Sequence, residues 1–133
     1  MMSQTKLFKF TSVLLFLIFI LYFLELKFYL SWTVWWYDIL LHFLGGSVVG
    51  MAVLLIFERF FDMEITGVFK TVLIGIVGAF VIGVLWEILE LRLNLTSFSD
   101  GVVYITDTIS DLILDMTGAF FGIFYGLKIW KKN

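Results

Sequence analysis

The sequence predicts an all-α, polytopic membrane protein, with four transmembrane helices in a small bundle. Two observations carry this. Of the 133 residues, 62% are hydrophobic, 20% aromatic and only 15% charged, whereas soluble domains hold about 45–50% apolar and about 25% charged residues. In addition, four separate stretches reach the roughly 20 apolar residues that a helix needs to cross about 30 Å of hydrocarbon. The composition excludes a disordered chain, and a net charge of −2 offers no basic surface for nucleic acid. With no cysteine, thiol catalysis, thiolate metal ligands and disulfides are excluded too. The chain is read as one transmembrane domain, 1–133, in the plasma or inner membrane.

The first span covers about 7–26 and is nearly uncharged from Phe10 to Leu24. Lys6 and Lys9 precede it as in a secretory signal, but no small-residue cleavage pattern follows, so it reads as an uncleaved anchor. Next comes an aromatic segment, Phe28 to Tyr37, whose Trp32, Trp35, Trp36 and Tyr37 suit headgroup level. The second span covers about 39–57, with His42 its one titratable residue, and the third about 68–91. The connection from Arg92 to Thr106 holds Ser97, Ser99, Asp100 and Gly101, a turn composition, and then Val102 to Ile105, read as dipping into the interface. The fourth span covers about 108–130.

Orientation follows from the basic residues. Four spans put both termini and the 58–67 loop on one side, which holds Lys6, Lys9, Arg59, Lys70, Lys128, Lys131 and Lys132. The other side holds only Lys27 and Arg92. The positive-inside rule therefore predicts cytoplasmic termini. Acidic residues lean outward, with only Glu58, Asp62 and Glu64 inside.

Charges inside spans cost roughly 2.5–3.5 kcal/mol each on insertion scales, so they are functional candidates by default. Their spacing here is regular. Asp38 and His42 are one turn apart; Gly83, Glu87, Glu90 and Asn94 follow a 4-3-4 spacing; Asp107, Asp111, Asp115, Gly118, Gly122 and Gly126 follow spacings of 4, 4, 3, 4 and 4. Residues three or four apart share a helix face, so each set is one stripe, and topology puts every polar part in the outer half of its helix. Gly118, Gly122 and Gly126, with Gly46 and Gly50 on the second span, form the small-xxx-small pattern of closely packed helices. Six carboxylates (Asp38, Glu87, Glu90, Asp107, Asp111, Asp115) beside one histidine cannot all stay ionised in a low dielectric unless a cation neutralises them. Such a donor set suits Mg, Ca, Mn or Zn. The bland readings are that Asp38 merely holds His42, that Asp107 is an N-cap with Thr108 and Asp111 at capping-box spacing, and that Glu90 reaches solvent. They explain Glu87 and Asp115 poorly, and both are expected to point at His42. The first span, with no glycine and no charged stripe, is expected at the periphery.

In order, Asp38-Ile-Leu-Leu-His42 with Gly45-Gly46, Trp86-Glu87-Ile-Leu-Glu90, and Asp107-x-x-x-Asp111-x-x-x-Asp115-x-x-Gly118 resemble the VanZ-like superfamily, in particular its YjdF-type inner-membrane branch. The resemblance spans about Asp38 to Gly122. Glu90 stands where that superfamily usually has glutamine and Asp115 where it usually has asparagine, which fits the YjdF-type branch better. The resemblance implies fold and site position, and hardly constrains chemistry.

Three functions fit the residues. One is a metal-assisted hydrolase or transferase acting on a lipid-linked envelope substrate, with His42 or Glu87 as candidate base. The second is a cation- or proton-coupled carrier, for which so small a chain would form a homo-oligomer. The third is a non-catalytic module that binds a lipid or a partner helix. The sequence leaves enzyme and non-enzyme open.

Overall fold

The computed structural model describes residues 2–60 and 67–131. Among the described residues five helices follow one another: α1 (Met2–Phe28), the short α2 (Leu30–Thr33), α3 (Tyr37–Phe60), α4 (Val68–Arg92) and, after a 3-10 turn at Phe98–Asp100, α5 (Val102–Lys131). Four of them contain stretches long and apolar enough to cross a membrane: Gln4–Phe28, Tyr37–Phe57, Val68–Arg92 and Val102–Ile129. Helices dominate because hydrocarbon offers no partner to backbone amides, so each segment must satisfy its own. Asp62, Glu64 and Lys132 of the inner side lie outside the described residues.

The central pair is α3 and α5, with α4 packed on both and α1 against α3 and the far end of α5. Small residues make this pairing. A Cβ at Gly46 would fall on the Asp115 backbone, at Gly50 on Ala119, at Gly118 on Phe43 and at Gly122 on Ser47. The two backbones therefore touch along several turns, the approach that only glycine permits. At the opposite end Leu7, Met51 and Leu54 form a buried apolar cluster, and Gly126 lies over Leu7 and Leu54. That contact puts the beginning of α1 and the end of α5 at one end of the bundle. Phe16, Phe19 and Phe23 of α1 are exposed, as suits a lipid-facing helix.

Helix ends explain two departures from the sequence reading. Helix α5 begins at Val102, well before Thr108, because Gly101 adopts φ 59, ψ −121, a conformation open to glycine, and Ile105 N–H already donates to its carbonyl at 3.2 Å. Val102 to Ile105 are thus helix, and Asp107 sits in the second turn, too deep for an N-cap. Tyr37 also faces the bundle and not the lipid. It is buried, its hydroxyl donating to the Leu21 carbonyl of α1 at 2.7 Å, while Trp32 and Trp35 beside it are exposed. The end of α4 is closed by a complete Schellman arrangement: Asn94 is left-handed (φ 57), Leu95 N–H donates to Glu90 O at 3.0 Å and Asn94 N–H to Leu91 O at 3.3 Å.

Candidate metal centre

At 30 residues, α5 is about 45 Å long, so its acidic first turns rise towards the interface while Asp115 sits about 12 Å below Asp107. Gly46, one turn beyond His42, rests on the backbone of Asp115. That crossing places the turn above it, His42 on α3 and Asp111 on α5, side by side. Gly83 of α4 leaves room for the Asp115 carboxylate, because a Cβ there would fall on Oδ2. Three helices and two glycines therefore fix one side chain.

The result is an imidazole between carboxylates. His42, Asp111 and Asp115 are 5%, 3% and 7% exposed, and Asp38 is half-buried at the mouth. His42 Nδ1 lies 3.3 Å from Asp115 Oδ1. On the other edge, Nε2 is 3.8 Å from Asp38 Oδ1 and 3.8 Å from Asp111 Oδ2. These two edges differ in kind. The first is a hydrogen-bond distance, and the second is too long for one. Two donors on a tetrahedral cation at about 2.1 Å stand about 3.4 Å apart, so 3.8 Å is close to the separation of co-ligands. Asp38, His42 and Asp111 each offer an atom within 4.8 Å of the others. Asp115 stands behind the ring, where a carboxylate holding Nδ1–H turns the lone pair of Nε2 towards the other two acids. Its Oδ2 is buried without a partner.

The remaining predicted residues divide. Glu87 is 5% exposed and accepts from Thr108 Oγ1 at 2.8 Å, with Oε1 unpartnered. It sits in the α4–α5 seam, and its hydrogen bond runs to Thr108, not to His42. Thr108, which stands at capping-box spacing from Asp111, is therefore the partner of a buried acid. Glu90 is half-buried and accepts from Trp86 Nε1 at 3.0 Å, while Asp107 is exposed at the rim.

A cavity of about 560 Å³ opens on these residues. Asp38, His42, Asp111, Asp115, Glu90 and Asp107 line it, and Glu87 does not. Its lower wall is apolar, from Leu15 and Ile18 of α1, Val48 and Val49 of α3 and Ile82 of α4. Among the described residues neither lysine nor arginine lines it; Lys27 lies over the Phe28 ring, 5.4 Å from its centroid, and Arg92 is exposed. The bare cavity therefore repels anions. The sequence reading did not single out Glu25, Tyr22, Ser31 or Thr96, which also line it; on α1, Leu15, Ile18, Tyr22 and Glu25 follow a 3-4-3 spacing that could have marked that face.

A family described as predicted membrane protein (DUF2238) matches residues 1–132. No curated protein and no solved structure matches the chain.

Proposed function

The chain belongs to the DUF2238 family of predicted membrane proteins, a multi-pass membrane protein by its four apolar helices, and on that premise we propose that it carries a divalent-cation centre for the headgroup of a lipid-linked envelope substrate. Asp38 Oδ1, His42 Nε2 and Asp111 Oδ2 are its ligands. The observation that carries the reading is the paired 3.8 Å separation at Nε2, too long for hydrogen bonding and close to what a shared cation requires. The reaction class is metal-assisted hydrolysis or group transfer. A cation supplies Lewis acidity and an acidified water, and it inverts the charge of an acidic cavity so that an anionic linkage can enter. The apolar wall from Leu15 to Ile82 takes the lipid chain.

Asp115 positions His42 from behind instead of ligating. Glu87, outside the cavity wall, is a poor base; Glu90 and Asp107, which line it, are the carboxylates placed to take a proton. A carrier reading needs the polar stripe to continue through the bundle. Below Asp115, Gly118 and Gly122 lie against the backbones of Phe43 and Ser47, which supports a closed-ended site. The motif order supports kinship with the VanZ-like superfamily and its YjdF-type branch, and the basic asymmetry supports a site facing the outer leaflet.

The test is a Mn²⁺ titration of the protein in lipid nanodiscs, followed by electron paramagnetic resonance, with headgroup release from lipid phosphates measured in parallel. One site per chain, lost together with turnover in Asp111→Asn, is expected. No bound Mn²⁺, or release indifferent to it, would overturn the reading.

A further inference from the structure

A second cavity, of about 580 Å³, lies in the seam between α1 and α3 towards the other end of the bundle. Its wall is apolar, from Phe8 and Leu15 of α1 and Val48, Ala52, Leu55 and Ile56 of α3. Phe8 and Ile56 are exposed, so the seam lies open to the bilayer along its flank. The two ends of this groove differ. Gln4 and Arg59 line one end; Leu15 and Val48 line the other, and they also border the cavity of the candidate metal centre. Gln4 to Leu15 and Val48 to Arg59 are 11 residues each, about 16 Å of helix. That is about half of a 30 Å hydrocarbon core, so the groove is one leaflet deep.

Charge says what fills it. Arg59 is exposed and, among the described residues, has no ion-pair partner. Its planar fork carries five donors and no acceptor, which suits a phosphate. The side of the membrane it stands on holds seven basic residues against three acidic ones, and basic pockets between spans on the cytoplasmic side favour anionic headgroups. A second copy of the chain fits less well. A two-fold axis along the membrane normal sets a patch against itself, and Arg59 would then face Arg59. An acyl chain restores the dispersion contacts that an empty groove forfeits.

We propose that this groove holds one anionic phospholipid of the cytoplasmic leaflet, its phosphate on Arg59 and an acyl chain along the α1–α3 seam as far as Leu15 and Val48. The site is separate from the cation centre and stands or falls without it. It also gives α1, which has no glycine for close packing, a lipid as filler against α3.

The probes are phosphatidylglycerol and phosphatidylcholine with the same chains, and their retention by the purified full chain is read by native mass spectrometry. Chelator is present throughout, so that the acidic outer cavity carries no cation and repels the anionic probe. One phosphatidylglycerol per chain is expected, retained about fivefold better than phosphatidylcholine, the worth of one basic residue at an anionic headgroup. Arg59→Gln should erase the preference. Lys9→Gln removes the same charge outside the cavity lining and should leave the preference within about twofold. Ala52→Phe, which fills the groove, should lower retention of both lipids; if that variant does not fold, the comparison of Arg59→Gln with Lys9→Gln still decides. Equal retention of the two lipids overturns the proposal, as does a preference that survives Arg59→Gln or falls equally in Lys9→Gln. Phosphatidylglycerol retention unchanged in a folded Ala52→Phe overturns it as well. A lipid-free dimer would assign the groove to a second copy and overturn it too.

Discussion

Replacing Asp115 by asparagine separates a carboxylate that tunes His42 from one that merely occupies the bundle. The change keeps the shape, and the amide oxygen can still accept from Nδ1, 3.3 Å away; only the charge is lost. A cation on the Nε2 edge would stand about 7–8 Å from that carboxylate, across the ring. At an effective dielectric of about 20, a doubly charged ion and a carboxylate at that distance attract by about 4 kcal/mol, an upper figure. Losses for carboxylates that back a metal-bound histidine run about 10–100-fold, or about 1.4–2.8 kcal/mol. Asp115→Asn is therefore expected to weaken Mn²⁺ binding by about 10–100-fold without abolishing it. Asp111→Asn, at a ligand, should abolish it, and Asp107→Asn, exposed at the rim, should change it less than about threefold. The assay is the shift of the thermal unfolding midpoint with Mn²⁺ concentration, which reports affinity through mass action. If Asp115→Asn stabilises the protein with the Mn²⁺ response intact, Asp115 is a proton-sharing carboxylate and its role behind the imidazole is refuted.

Three further outcomes follow from the packing. Gly118→Val drives a branched side chain into the Phe43 carbonyl, and because backbone cannot yield as a side chain does, it should cost about 1–3 kcal/mol or more; an unchanged melting temperature would contradict the close α3–α5 approach. Thr108→Val strips Glu87 of its one hydrogen-bond donor and should cost about 1–3 kcal/mol, whereas the double change with Glu87→Leu should recover much of it, since replacing both partners by apolar groups is nearly neutral. Reporter fusions after Asn133 and within 93–101 should fall on opposite sides of the membrane, cytoplasmic and outer respectively; an outer C-terminus would invert the site.

The spans were legible because hydropathy over 20 residues is a strong signal. The start of α5 was not: Val102, Val103, Ile105 and Thr106 are β-branched, weak helix formers in water, and only the bilayer's demand for internally satisfied amides overrides that preference. The stripes on each helix could be read from spacings of three and four, and so could their common end of the bundle. Their relative rotation could not. Glu87 and Asp115 looked equivalent in sequence, yet Gly83 makes room for Asp115 beside α4, while one turn further on Glu87 meets Thr108. Glycine placement decides which acid reaches the histidine, and that depends on where backbones cross. Tyr22 of α1 and Ser31 of α2 share a cavity with Thr96, on the connection after α4, only through tertiary structure.

The central claim is tested most directly by an anomalous diffraction map of the protein crystallised with Mn²⁺. A single peak is expected at about 2.0–2.6 Å from His42 Nε2, Asp38 Oδ1 and Asp111 Oδ2, with Asp115 still on Nδ1. A contracted cluster without a peak, in which Nε2 donates directly to Asp38 or Asp111 at about 2.8 Å, would contradict it.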